Sequence, residues 1–549
     1  MRKLSRLVLK LLENKGITGI EEIEEFISPS PKMTYDPFLM LNMEEGVELV
    51  IETARAGRRI CVYGDYDADG ITSTVMMTQI LRELTDNLFY YIPSRFDEGY
   101  GLNMAAVDTV RQMGADLIVT VDCGSVSVDE IKYAKSLGME VLVTDHHTVG
   151  DEVADCLVIN PRQANCMYPF SDLAGCGVVF KFCCALVNRA GLENRLKKDI
   201  LDLVAIGTIA DIMPMIDENR TLVKYGLKAV RCSRRKGLCA LLEGINVEKT
   251  RIREDDIAYS LVPHLNAAGR ISDAGIAADI LLSEDDREIA RGVAELISRN
   301  ETRKRIQNDT YRKCIQIVSD QIDIRKCLVI RCEDAHEGIT GIVAGKIKDK
   351  YKKPVIILSP ASDGLKGTGR SVPGIDLYNL LSGSERMFSK FGGHKGACGF
   401  TMDEEFFDDF FDEVEENINA IADGAKDASE TENQADAQID ICDISSELIK
   451  EIELLAPFGQ GNPEPVFLVT GRVRDIYYMG NEREHVRFML VSGDGAYVRC
   501  VLFGNAQKYA GCLRTDRLIS VTGNLKISEW RGNAFPQITV REIVQEVRL

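Results

Sequence analysis

Three aspartates at alternate positions, Asp65, Asp67 and Asp69, follow directly on an apolar run at 60–63 and precede Gly70. An apolar run bounded by Gly and Asp reads as a buried strand with its exit loop. Carboxylates this close in sequence repel one another unless positive charge sits among them, and hard oxygen donors suit a divalent ion such as Mg2+ or Mn2+. Two plainer readings fit the same residues: a solvated acidic turn, or a calcium loop of the D-x-D-x-D-G type. The calcium loop needs a Glu at its twelfth position, which here is Met76, and that disfavours it.

These side chains need a frame, and the sequence around them supplies one. Strand candidates lie at 59–63, 88–92, 117–121, 140–144 and 156–159, with helical stretches at 71–85, 103–113 and 126–137 between them. Such alternation predicts an α/β fold with a doubly wound parallel sheet, in which ligands bind beyond the carboxyl ends of the strands. Three of those ends carry chemistry. The first runs into Asp65, Asp67 and Asp69, the third into Asp122, and the fourth into Asp145, His146 and His147. A lone histidine is more often structural than a ligand. Two of the chain's six, adjacent and directly behind an aspartate at a strand end, reverse that expectation. A further apolar stretch, LVAIGTIADIMPM, sets Asp211 among small and apolar residues. A carboxylate there is costly unless paired or bound to a metal, although a helix-terminal cap would also account for it.

The 549 residues divide into an N-terminal helical segment (1–40), a catalytic α/β domain (41–240), connecting helices (241–320) and a second, smaller α/β domain (321–421). An acidic linker (422–440) and a C-terminal region of short alternating strands (441–549) follow, the latter suggesting a small oligonucleotide-binding barrel. Sixteen scattered cysteines with no C-x-x-C spacing suggest reduced thiols rather than a zinc site. The N-terminus has no signal-peptide pattern and no apolar stretch reaches membrane-spanning length, so a cytoplasmic chain with no membrane partner is expected.

A net charge of -19 argues at first against nucleic acid, but the charge is segregated. Residues 403–440 hold fifteen acidic residues against the single Lys426, a net of -14, which leaves -5 for the rest. The stretches 291–314 and 471–549 are each +4, with seven basic against three acidic and twelve against eight. A basic track beside an acidic metal centre is compatible with this distribution.

The motifs GDYDADG, VDCG, DHH and ADIMP, in this order, resemble the DHH phosphoesterase superfamily. The order of the remaining parts is similar to its RecJ branch of bacterial single-strand-specific exonucleases: LNAAGRI at 265–271, FGGHKGACGF at 391–400 and LLAPFGQGNPEPVF at 454–467. The resemblance covers 40–549 and implies a DHH domain, a DHH-associated domain and an OB-type β-barrel. It implies metal ligation by Asp65, Asp67, Asp69, Asp122, His146 and Asp211, with Asp122 bridging two Mn2+ or Mg2+ ions. His147 is then the residue on the scissile phosphate, and Asn266, Arg270, Gly392, Gly393 and His394 are phosphate or DNA contacts. Asp67, Asp69, Asp122 and His147 become the catalytic set. Tyr477, Tyr478, Phe503 and Trp530 are candidates for base stacking, with barrel core as the alternative for each. The chain departs from the pattern at Tyr63, where related phosphatases carry histidine, and at His264, where relatives often carry arginine.

The expected activity is 5'-3' hydrolysis of single-stranded DNA to 5'-mononucleotides in recombination and repair. The expected chain is a monomer, working with a helicase or a single-strand-binding protein. A phosphodiesterase for short oligonucleotides or cyclic dinucleotides would have no use for the barrel. A non-catalytic single-strand-binding scaffold would have no use for the metal-type residues.

Overall fold

The computed structural model describes residues 4–94, 101–150, 152, 154–271, 274–361, 364–422, 435–504, 506–530 and 533–544. The chain forms two compact units, one of residues 37–211 and 228–428, the other of residues 1–36, 212–227 and 429–549.

The larger unit is built on five parallel strands: β1 (Ile60–Tyr63), β2 (Leu88–Tyr91), β3 (Leu117–Val121), β4 (Glu140–Thr144) and β5 (Leu157–Ile159). Their order in the sheet is β2-β1-β3-β4-β5. The central strands are buried throughout and nearly all apolar because both faces are covered, as a parallel sheet requires. All five agree with the expected strands to within a residue at each end.

Register is what aligns the functional residues. Tyr63 pairs with Thr120, Val121 with Thr144, and Thr144 with Ile159. Asp65, Asp122, Asp145 and Asn160 therefore leave the sheet at one level along its carboxyl edge. The backbone amide of Asp122 still donates to Thr144 O, and that of Asp145 to Ile159 O.

The helix after β1 departs from expectation. It runs Ala68–Leu81 instead of starting at 71, because the Asp67 carboxylate caps it by accepting from the amides of Asp69 and Gly70, both at 3.0 Å. Asp69 consequently lies inside its first turn rather than in an exit loop. Three other helices matter for the site: Gly175–Arg189, Leu201–Ala210 and Val262–Ile271. A 33-residue helix, Asp286–Val318, carries the basic stretch.

A second sheet in this unit joins β6 (Leu328–Arg331), β7 (Val355–Ala361), β8 (Gly364–Arg370), β9 (Phe388–His394) and β10 (Ala397–Met402) in the order β6-β7-β8-β10-β9.

In the smaller unit, β11 (Ala437–Gln438), β12 (Phe467–Met479), β13 (His485–Val491), β14 (Tyr497–Leu502), β15 (Leu518–Trp530) and β16 (Asn533–Val544) form one sheet. It closes into a barrel through the pairing of β12 with β15. The acidic segment lies outside the described residues over 423–434, and its last part enters the barrel sheet as β11. Val8, Leu11 and Leu12 of the N-terminal helix pack into the barrel core beside Phe467 and Phe488. Among the described residues no helix is long and apolar enough to cross a membrane.

Phe488 is fully buried at the centre of that core. Phe488→Ala is expected to destabilise the smaller unit by about 3–5 kcal/mol, read as a lower urea midpoint of its unfolding transition. An unchanged midpoint would mean that this core does not hold the unit together.

Candidate metal centre

The carboxyl edge of the first sheet gathers three overlapping sets of donor atoms, each with its atoms within 4.8 Å of one another. They are Asp65, Asp67 and Asp122; Asp122, His146 and His147; and Asp69, His146 and Asp211. All six expected ligands and His147 thus converge. Asp122 and His146 each belong to two of the sets.

The chain reaches this arrangement through close backbone approaches. Asp122 adopts a left-handed conformation (φ 63°) that turns the chain sharply at the end of β3. Gly175, the first residue of helix Gly175–Arg189, lies so close that a Cβ there would meet Asp122 Oδ1 at 2.2 Å. The first two amides of that helix, from Gly175 and Cys176, donate to the two oxygens of Asp69 at 2.8 and 2.9 Å. A helix N-terminus thereby directs positive potential at this carboxylate. Asp211 closes the site as the C-cap of helix Leu201–Ala210.

Electrostatics divides the cluster in two. Burial, then repulsion from Asp69, Asp67 and other neighbours, holds the Asp122 carboxyl well above its ordinary range. Burial followed by Asp69 also raises Asp67, and burial with Asp69 and Asp67 raises Asp211 to about 8. Asp145 behaves in the opposite way. Despite burial, it is held below the usual carboxylate range by the ring of His147 (2.8 Å) and the amide of Ser125 (2.9 Å). It accepts two further amides, from His146 and His147. In return the His147 imidazole, which burial alone would depress, is raised to about 9 by that hydrogen bond. His146 is lowered, chiefly by burial.

His146 presents Nε2 between Asp122 Oδ1 (3.2 Å) and Asp211 Oδ2 (3.6 Å). Among the described residues the Asp122 Oδ1 and His146 Nδ1 atoms, both buried, find no conventional hydrogen-bond partner. Orphaned donor atoms inside a ring of mutually repelling carboxylates fit divalent ions with oxygen and imidazole ligands. Asp65, Asp67, Asp69, Asp122, His146 and Asp211 are the residues that would hold them.

The remaining expected residues are placed differently. Asn266 Oδ1 accepts from the Ala68 amide at 2.6 Å, which commits that oxygen to the helix behind the metal cluster. Arg270 Nη1 donates to Gly338 O. Gly392, Gly393 and His394 lie exposed on the β9–β10 hairpin, with no hydrogen bond to the cluster among the described residues. Tyr63 is fully buried and donates to Gly101 O, so it is a core residue and not a ligand. His264 is tied through Nδ1 to Ser260 O.

On the barrel, Tyr477 and Phe503 are exposed, while Tyr478 packs partly against the core. The Trp530 side chain lies outside the described residues. The sequence reading missed Phe535, which lies beneath the Arg499 guanidinium at 3.8 Å beside a 410 Å³ cavity that Arg487 also lines. Alternation of outward residues along β14 and β16 was the signal that could have found this pair.

Gly175→Ala is expected to weaken Mn2+ binding by about tenfold or more in calorimetric titration. An unchanged affinity would show that Asp122 does not need this contact. The raised carboxyls carry a second consequence. Near neutral pH Asp211 holds a proton that a metal must displace, so affinity should rise as pH increases from 6 towards 8. Titrations in buffers of different ionisation enthalpy should show proton release, and a buffer-independent heat would contradict it.

Comparison with known proteins follows the same order of parts. Residues 59–208 match the DHH family, N-terminal domain; residues 325–420 match the DHHA1 domain; residues 435–542 match the RecJ OB domain. The chain is 35% identical over 545 residues to the single-stranded-DNA-specific exonuclease RecJ of Bacillus subtilis, covering 98% of this chain and 68% of that protein. It is 33% identical to the RecJ of Salmonella typhimurium, covering 98% and 96%. The crystal structure of RecJ from Thermus thermophilus in complex with Mn2+ superposes with a TM-score of 0.83 at 29% identity, covering 100% of this chain and 77% of that one.

Proposed function

Because the chain belongs to the RecJ family of single-stranded-DNA-specific exonucleases, we propose that it hydrolyses single-stranded DNA from the 5' end to 5'-mononucleotides, as a metal-dependent exodeoxyribonuclease of recombination and repair. The observation that carries this reading is the convergence of Asp65, Asp67, Asp69, Asp122, His146 and Asp211 at one sheet edge, with Asp122 shared between donor sets.

With two Mn2+ or Mg2+ ions bound, such a centre supplies Lewis-acid polarisation of a phosphodiester and a water of lowered pKa. The chain's own residues do the rest. Asp122 holds the two halves of the site in register. Asp145 fixes the His147 ring and keeps it protonated near neutral pH, so that Nε2 can donate a charge-assisted hydrogen bond to a non-bridging phosphate oxygen. Asp69 is oriented from behind by the helix amides of Gly175 and Cys176.

Asn266, Arg270, Gly392, Gly393 and His394 are assigned to the DNA backbone beyond the scissile phosphate. The exposed Tyr477 and Phe503 are assigned to bases on the barrel. In this reading residues 41–240 and 321–421 form the catalytic body and 441–549 the strand-binding module. The enzyme acts as a cytoplasmic monomer on strands opened by a helicase or covered by a single-strand-binding protein.

The test is incubation of purified protein with Mn2+ and single-stranded DNA labelled at either end. Mononucleotides should appear from the 5' end, and Asp122→Ala should lower the rate by at least about 100-fold. Intact single strands, or duplex degraded equally well, would refute the proposal.

A further inference from the structure

Building on the exonuclease reading, we propose that Arg162, at the exit of β5, is a further phosphate-binding residue of the site. It would hold a non-bridging oxygen of the single-strand backbone beside His147.

The strand register that aligns Asp65, Asp122 and Asp145 extends one strand further. Ile159 pairs with Thr144, so Asn160 leaves the sheet level with Asp145. Asn160 is fully buried and acts as a staple. Its Nδ2 donates to His147 O at 2.9 Å and to Ser125 Oγ at 2.8 Å, while its Oδ1 accepts the Arg162 amide at 2.9 Å. The backbone of Arg162 is thereby tied to the loops that carry Asp122 and His147.

Its side chain, in contrast, is loosely held. Nε lies 3.4 Å from Ser171 O, Nη2 lies 3.4 Å from Asp172 Oδ1, and Nη1 has no acceptor among the described residues. Both contacts are at the long end for hydrogen bonds. The Asp172 pair is solvent-exposed, and such pairs contribute little. A guanidinium anchored at its backbone and weakly engaged at its head can exchange Asp172 for a phosphate at small cost.

At the same sheet edge stand the buried carboxylates of Asp65, Asp122 and Asp145. A phosphodiester approaching these carboxylates needs cationic donors in addition to the metals. A planar guanidinium can meet two phosphate oxygens where an imidazole meets one.

The competing explanation is that Arg162 merely pins the loop at 171–172. Four proteins separate the two: wild type, Arg162→Ala, Arg162→Lys and Asp172→Ala. Under Mn2+, Arg162→Ala should lower kcat/KM by roughly 10–100-fold, the size of one charge-assisted hydrogen bond. Arg162→Lys should recover part of the loss, and Asp172→Ala should stay within about twofold of wild type. Calorimetry should show Mn2+ binding to Arg162→Ala no weaker than to wild type.

Equilibrium binding of labelled oligothymidylate to Asp122→Ala, with and without Arg162→Ala, supplies a readout that needs no turnover. The slope of log affinity against log salt should fall by about 0.7, the value for one phosphate contact on a single strand. An unchanged slope, an Asp172→Ala loss equal to that of Arg162→Ala, or weakened Mn2+ binding would each overturn the assignment. Hydrolysis by the wild-type protein in the same series tests the exonuclease reading separately.

Discussion

Mutual repulsion among buried carboxylates at one edge of a parallel sheet is the constraint around which this protein is organised. Asp65, Asp69 and Asp122 are almost wholly buried, and Asp67 and Asp211 stand beside them. In a medium of low dielectric such a group is stable only if protons, helix dipoles or cations offset the charge. The fold provides some of this: two helix amides for Asp69, the cap of helix Ala68–Leu81 for Asp67, and elevated carboxyl pKa values for Asp122 and Asp211. What remains is a standing demand for divalent cations. The same demand suits hard ions that accept several oxygens.

The site is also built asymmetrically. Asp145 collects three backbone amides and the His147 ring, and so is held below the usual carboxylate range, whereas Asp67, Asp122 and Asp211 are raised above it. One carboxylate is thus paired with the His147 imidazole, while the others crowd against one another in the donor cluster. Two neighbouring histidines are consequently shifted in opposite directions, His146 lowered chiefly by burial between Asp122 and Asp211, His147 raised by its bond to Asp145. Identity of residue type does not set the role. The nearest carboxylate and its own hydrogen bonds do.

Much of the sheet was legible along the chain, because buried parallel strands are short apolar runs and their exits are marked by Gly and Asp. The start of the following helix was not, since an aspartate that caps a helix looks the same in sequence as one in a loop. Asp67 does both. Tyr63 could be read only as a departure from a pattern, until its burial and its bond to Gly101 O showed it to be core. The support of Gly175 and Cys176 for the ligands was invisible, because a backbone amide has no side chain to announce it and lies more than 100 positions from Asp69. Asn160 and Arg162 were passed over for a related reason. An Asn-Pro-Arg turn is unremarkable until strand register sets it level with Asp145.

By itself, then, the sequence determined which residue types could bind metal and on which strand ends they would sit, because alternation of apolar strands and helices dictates a parallel sheet with one functional edge. Only the tertiary structure decided how the donors divide among three overlapping sets, which histidine is raised and which lowered, and which glycine and helix terminus make room for them. Those outcomes depend on distances of a few ångströms between segments far apart in the chain, where Coulomb energy and desolvation change most steeply.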